Sequence, residues 1–79
     1  MSGTLARVGK VFSELMDVDP STITRETSPE TLEEWDSMAH VQLIVALEKE
    51  FSLTISPDDA VDFESVGMIC DWIDTKTQK

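Results

Sequence analysis

The chain is short of everything that a metal centre or a disulfide framework needs. It contains one cysteine, Cys70, and one histidine, His40, in 79 residues. A single Cys forms no internal bridge, and one Cys with one His does not make up the nitrogen and sulfur ligand set of a zinc site, so no metal is expected. Residues 1–15 hold no apolar block of signal-peptide length, and with the sparse cysteine this gives a cytoplasmic location as the expectation. The longest uncharged apolar run, residues 41–47 with Gln42 inside it, falls far short of the roughly 20 residues that span a bilayer. Bases are scarce too. Six Lys and Arg stand against sixteen Asp and Glu, for a net charge of −10. Arg25 and Lys49 are the two bases of residues 17–74, which carry fifteen acids. Such a field disfavours nucleic acid and anionic membrane, and steers the chain toward proteins that present Lys and Arg. Self-repulsion at this charge density weakens the fold at low salt.

What is present suffices for one small core. Leu, Ile, Val and Phe supply 21 of the 79 residues, above the roughly 20% below which a highly charged chain stays disordered. A single domain over residues 1–79, monomeric, with residues 76–79 as a polar tail, is the expected organisation. Leu5, Val8, Phe12 and Leu15 recur at helical spacing and predict a first helix over residues 4–16. Residues 17–36 read as a long ordered connection pinned by Val18, Ile23, Leu32 and Trp35, with one helical turn after Pro29. From Ser37 the pattern is helical to Phe51, and Met38, Val41, Leu43, Ile44, Val45 and Leu47 are expected to bury most of that helix. Ser56-Pro57-Asp58-Asp59 pairs a capping Ser with Pro at the first helical position and predicts a short third helix ending near Val61 or Asp62. Ile55 is expected to turn inward before it. A last helix starts at Ser65 and buries Val66, Ile69, Cys70 and Ile73, with Gly67 in its first turn costing up to about 1 kcal/mol relative to Ala. No segment alternates with the period of a strand. The fold class is therefore all-α, a small four-helix bundle of three longer helices and one short one.

Few residues invite chemistry. Ser37 stands at a loop-to-helix junction, where it and Asp36 are both competent N-caps. Such a junction also favours negative charge through its unpaired amides and the helix dipole, so a phosphoester on Ser37 is well placed. His40, three residues on, shares a helical face with Ser37 and suggests a Ser–His hydrolase. The orienting group, the Gly-rich oxyanion loop and the Gly-x-Ser-x-Gly turn are all missing, so a solvated or partner-facing His40 is the better reading. Asp58, Asp59, Asp62 and Glu64 lack the alternating acids, central Gly and closing Glu of an EF-hand loop. Trp35 is expected to anchor the loop over the start of the second helix, and Cys70 to be a small core residue.

The run Trp35-Asp36-Ser37-Met38-Ala39-His40-Val41-Gln42-Leu43-Ile44-Val45-Ala46-Leu47-Glu48-Lys49-Glu50-Phe51 resembles the acyl carrier protein signature. In that signature an Asp-Ser-Leu/Met precedes an amphipathic helix that ends in an acidic turn and Phe. Pro57-Asp58-Asp59-Ala60 and residues 66–73 occupy the places of that family's third and fourth helices, so the resemblance covers nearly the whole chain. It implies a bundle of acyl-carrier type and a protein that is not itself an enzyme. Ser37 would accept 4′-phosphopantetheine from coenzyme A through a phosphopantetheinyl transferase, with Asp36 positioning the serine and the transferase's divalent ion. An acyl or aminoacyl group would then ride the arm as a thioester to loading and transferring enzymes with basic docking patches. On the same resemblance Met38, Val41, Glu48, Asp58, Asp59 and Asp62 are the partner-binding candidates. Ala39 and Gln42 stand where the family commonly has acids, and Lys49 reverses a charge. These departures imply a specialised carrier with dedicated partners, serving a secondary metabolite, an amino acid or a cell-envelope acyl transfer rather than housekeeping fatty-acid synthesis. The alternative is an unmodified acidic helical interaction module.

Overall fold

The computed structural model describes residues 3–77, which form four helices: α1 (Gly3–Met16), α2 (Ser37–Phe51), α3 (Pro57–Ala60) and α4 (Val66–Thr77). No strand occurs among the described residues. α1 packs on α2 and on α4, and its apolar stripe buries Val8, Val11, Phe12 and Met16. Leu43, Leu47 and Phe51 from α2 and Val66, Ile69, Cys70 and Ile73 from α4 complete the centre of the core. Ile55 and Phe63 turn inward from the loops on either side of α3.

The connection between α1 and α2 is ordered by its own hydrogen bonds. α1 stops where Asp17 takes a left-handed backbone, φ 58°, and its N–H bonds the Ser13 carbonyl at 2.9 Å. Asp19 then starts a 3₁₀ turn, Pro20–Thr22, by accepting the Ser21 N–H at 2.9 Å. Bonds from the Ser21 N–H and hydroxyl hold the Asp19 carboxyl below its usual range. Thr31 and Leu32 both donate to the Ser28 carbonyl, which gives the single turn expected after Pro29. Ile23 and Trp35 are buried and Leu32 half-buried, so the connection is pinned to the core rather than looped away from it.

This connection also finishes α4. The Thr27 carbonyl accepts the Val66 N–H at 2.8 Å and the Arg25 carbonyl accepts the Gly67 N–H at 2.9 Å, satisfying amides that a helix start leaves unpaired. Ser65 Oγ accepts the Met68 N–H as the side-chain cap. The approach is close enough that a Cβ at Gly67 would lie 3.1 Å from the Arg25 carbonyl oxygen. An Arg25–Asp71 ion pair at 3.0 Å spans the same junction.

Two expectations are corrected. α2 is not mostly buried: Met38 is 72% exposed, Val41 65% and Val45 47%. The helix is covered along a stripe with a four-residue repeat, Leu43, Leu47 and Phe51, and one-turn α3 is too short to shield the opposite side. The polar end is also more regular than expected, because α4 continues through Lys76 and Thr77. Gln78 and Lys79, the rest of the expected tail, lie outside the described residues.

Candidate functional site

The junction between the connection and α2 resolves which of the two competent residues caps the helix. Asp36, with extended backbone, accepts the Ala39 N–H on Oδ1 at 2.8 Å. Ser37 is thereby freed from capping. It is the first helical residue, it is exposed, and its hydroxyl has no hydrogen-bond partner among the described residues. A hydroxyl in solvent at the positive end of a fifteen-residue helix is suited to carry an anionic ester.

Ser37 lies on the rim of an open cleft of about 850 Å³, bounded by Pro29 and Glu30, by Trp35, Asp36 and His40, and across from them by Val61, Phe63 and Glu64. The back of the cleft is held by a chain of hydrogen bonds. Trp35, 2% exposed, donates its indole N–H to His40 Nδ1 at 3.0 Å. His40 Nε2 lies 3.0 Å from the Ala60 carbonyl oxygen. Indole is only a donor and a carbonyl only an acceptor, so the ring is the neutral tautomer with its proton on Nε2. The Trp35 and His40 rings are nearly parallel, 15° apart with centroids at 6.0 Å, and Phe12 meets Trp35 edge-on at 5.0 Å. The sequence expectation of a loop anchor at Trp35 agrees with this geometry. The expectation of a solvated His40 does not: the ring is half-buried with both nitrogens engaged. Bonds committed to Trp35 and Ala60 leave no lone pair to activate Ser37, which removes the hydrolase reading. A helical pattern gives the face on which His40 lies, but the partner that buries it comes from twenty residues along the chain.

The remaining candidates separate into two groups. Met38 and Val41, with Val45, form an exposed apolar stripe running down α2 from Ser37. Asp58 and Asp62 are exposed and Asp59 is half-buried, its Oδ2 accepting the Ser56 hydroxyl. Neither of the ion pairs among the described residues, Arg7–Glu50 and Arg25–Asp71, involves these acids. Glu48 stands apart. It is half-buried, and its Oε2 accepts the Ile55 N–H at 2.8 Å, bracing the loop that leads to α3. Among the described residues, no group of three or more His, Cys, Asp or Glu is arranged to hold a metal ion, and no helix is long and apolar enough to cross a membrane.

Comparison with known proteins gives a consistent answer. Residues 6–73 match the family described as "Phosphopantetheine attachment site". The acyl carrier protein of Caulobacter vibrioides is 36% identical over 77 residues, covering 98% of this chain and 99% of the relative. That of Phenylobacterium zucineum is 37% identical over 67 residues, 85% of each. The solution structure of a holo acyl carrier protein from Nitrosomonas europaea superposes with a TM-score of 0.85 at 25% identity, covering 99% of this chain and all of that one.

Proposed function

Since the chain belongs to the acyl carrier protein family, a family of carriers rather than catalysts whose cofactor is covalent 4′-phosphopantetheine, we propose that Ser37 is the attachment residue. We propose further that the protein presents an acyl or aminoacyl thioester on that arm to dedicated partner enzymes. The observation that carries the assignment is the division of labour at the junction: Asp36 caps α2, and Ser37 keeps an unengaged hydroxyl at the helix start. The adjoining cleft leaves room for a substituent on that oxygen. The arm supplies a terminal thiol that holds the cargo as a thioester. The protein's own part is to fix the hydroxyl, to keep the helix start open to an incoming transferase and to offer a docking face.

That face combines the apolar stripe Met38, Val41 and Val45 with carboxylates at Glu30, Glu33 and Glu34 before it and Asp58 and Asp62 beyond it, all exposed. A partner that fits carries an apolar patch within a basic rim, so that the charges steer encounter and the stripe supplies the buried centre. The scarcity of acids on α2 itself supports the specialised carrier over a housekeeping one.

Incubation with coenzyme A and a broad-specificity phosphopantetheinyl transferase, followed by intact mass measurement, tests the assignment. The wild-type chain is expected to gain one phosphopantetheinyl group and Ser37→Ala none, with the helical spectrum of both unchanged. A gain that survives in Ser37→Ala contradicts it, and a folded wild-type chain that no transferase modifies favours the unmodified interaction module.

A further inference from the structure

The bridge behind the cleft joins three separate pieces of chain. Trp35 belongs to the connection and stands immediately before Asp36 and Ser37; His40 belongs to α2; Ala60 ends α3. The Ala60 carbonyl also accepts the Phe63 N–H at 3.2 Å, so the wall of the cleft opposite Ser37 is tied into the same network. The Trp35 link depends on one protonation state, while the Nε2–H bond to Ala60 survives in either. Nδ1 must offer a lone pair to the indole N–H, which has no other polar partner among the described residues. A proton on Nδ1 sets N–H against N–H across 3.0 Å, and a buried indole N–H then loses its acceptor, a loss that proteins seldom tolerate without rearrangement.

We propose that His40 is a positioning residue of the Ser37 site. As the neutral Nε2–H tautomer it links the Trp35–Asp36–Ser37 junction to α2 and α3, and a proton on Nδ1 breaks the Trp35 link and frees the junction while Nε2–H keeps its bond to Ala60. The other charged groups of the cleft are Glu30 from the connection, Asp36 from the start of α2 and Glu64 after α3. All three are carboxylates, and none bonds the His40 ring. α1 meets the bridge through the Phe12 ring and, like α4, contributes no charged group to the cleft lining. His40 is therefore the group whose proton decides whether the bridge is whole. The consequence for Ser37 rests on its being the modified residue; the consequence for Trp35 does not.

The test uses the full chain and two readouts. The first is the indole N–H resonance of Trp35, with that of Trp72 as internal reference, followed by NMR as the pH is lowered from about 8 until the His40 ring signals report protonation. The second is the rate of modification by coenzyme A and a broad-specificity transferase, taken as the ratio of wild type to His40→Gln at each pH so that the transferase's own pH dependence cancels. Gln retains an amide N–H for the Ala60 carbonyl and cannot gain a proton in this range. In the wild type the Trp35 indole signal is expected to move with the His40 titration and the Trp72 signal to stay. In His40→Gln neither should move. The rate ratio is expected to fall by about tenfold from the higher to the lower pH, as loss of precise placement costs elsewhere. A ratio that stays level with pH overturns the positioning role even if the indole moves, and an indole signal indifferent to His40 protonation overturns the bridge itself. A wild-type chain left unmodified at every pH refutes Ser37 as the attachment residue, and the positioning role falls with it while the indole titration still decides the bridge.

Discussion

Two side chains of nucleophilic type have opposite places in the fold. Ser37 and Cys70 are both nucleophile types, but Ser37 is exposed at a helix start while Cys70 is 1% exposed within the core. Burial pushes the Cys70 thiol up to about 11. The folded chain therefore holds this proton through a range in which the unfolded chain, with an ordinary thiol, has released it. Cys70 contributes no pH dependence below the ordinary thiol range, and from about pH 9 to about pH 11 stability is expected to decline as the unfolded state gains by ionising. Denaturation midpoints across that range should fall in the wild type and fall less in Cys70→Ala. Labelling by an aromatic disulfide at neutral pH should be slow until denaturant is added; fast stoichiometric labelling of the native chain would refute the burial. The core role of Cys70 was legible because Val66, Ile69, Cys70 and Ile73 share one helical spacing. The half-buried state of His40 was not, since neither Trp35 Nε1 nor the Ala60 carbonyl enters a periodicity argument.

Helix boundaries were set largely by local chemistry and were correspondingly readable: Ser56 before Pro57, Ser65 before α4, and Asp36 with Ser37 before α2. The choice between the last two needed three dimensions, because both can accept a hydrogen bond and only the extended backbone of Asp36 aims its carboxylate at the Ala39 amide. Gly67 shows the same limit from the other side. Read on propensity alone it is a weak spot in a helix, which Ala should repair by up to about 1 kcal/mol. The fold brings the Arg25 carbonyl oxygen to 3.1 Å from where the new Cβ would sit, and backbone cannot yield as a flexible side chain can. Overpacking of this kind costs about 1–3 kcal/mol. Gly67→Ala is therefore expected to lower the melting temperature, by roughly 4–8 °C for each kcal/mol of net loss in a domain of this size. A melting temperature raised by the substitution would show that the connection does not grip α4 as described. The exposed stripe of α2 was misread for a related reason: an apolar helix between neighbours looks the same in sequence whether those neighbours are long enough to cover it, and α3 has only four residues.

At the scale of the molecule, a charge of −10 is confined to a body with a radius of gyration of 11.3 Å, little more than the Debye length of about 8 Å at physiological salt. Screening should stabilise it, so the melting temperature is expected to rise as sodium chloride goes from about 10 to about 150 mM, the range over which the Debye length contracts most. With no group of three or more His, Cys, Asp or Glu placed to hold a metal ion among the described residues, magnesium at matched ionic strength should do no more than sodium. A flat salt profile would refute the self-repulsion argument, and an excess effect of magnesium would reveal a site. The same acidity, set around an apolar stripe and an unengaged serine, is what suits the molecule to be handled by basic partners. The most direct test of that account is fragment mass spectrometry of the chain after modification with coenzyme A and transferase, because the sequence offers eight serines and only one is assigned. A single phosphopantetheinyl group on the fragment ions that contain Ser37, with the other seven serines unmodified, is the predicted result. A group on any other residue would contradict it.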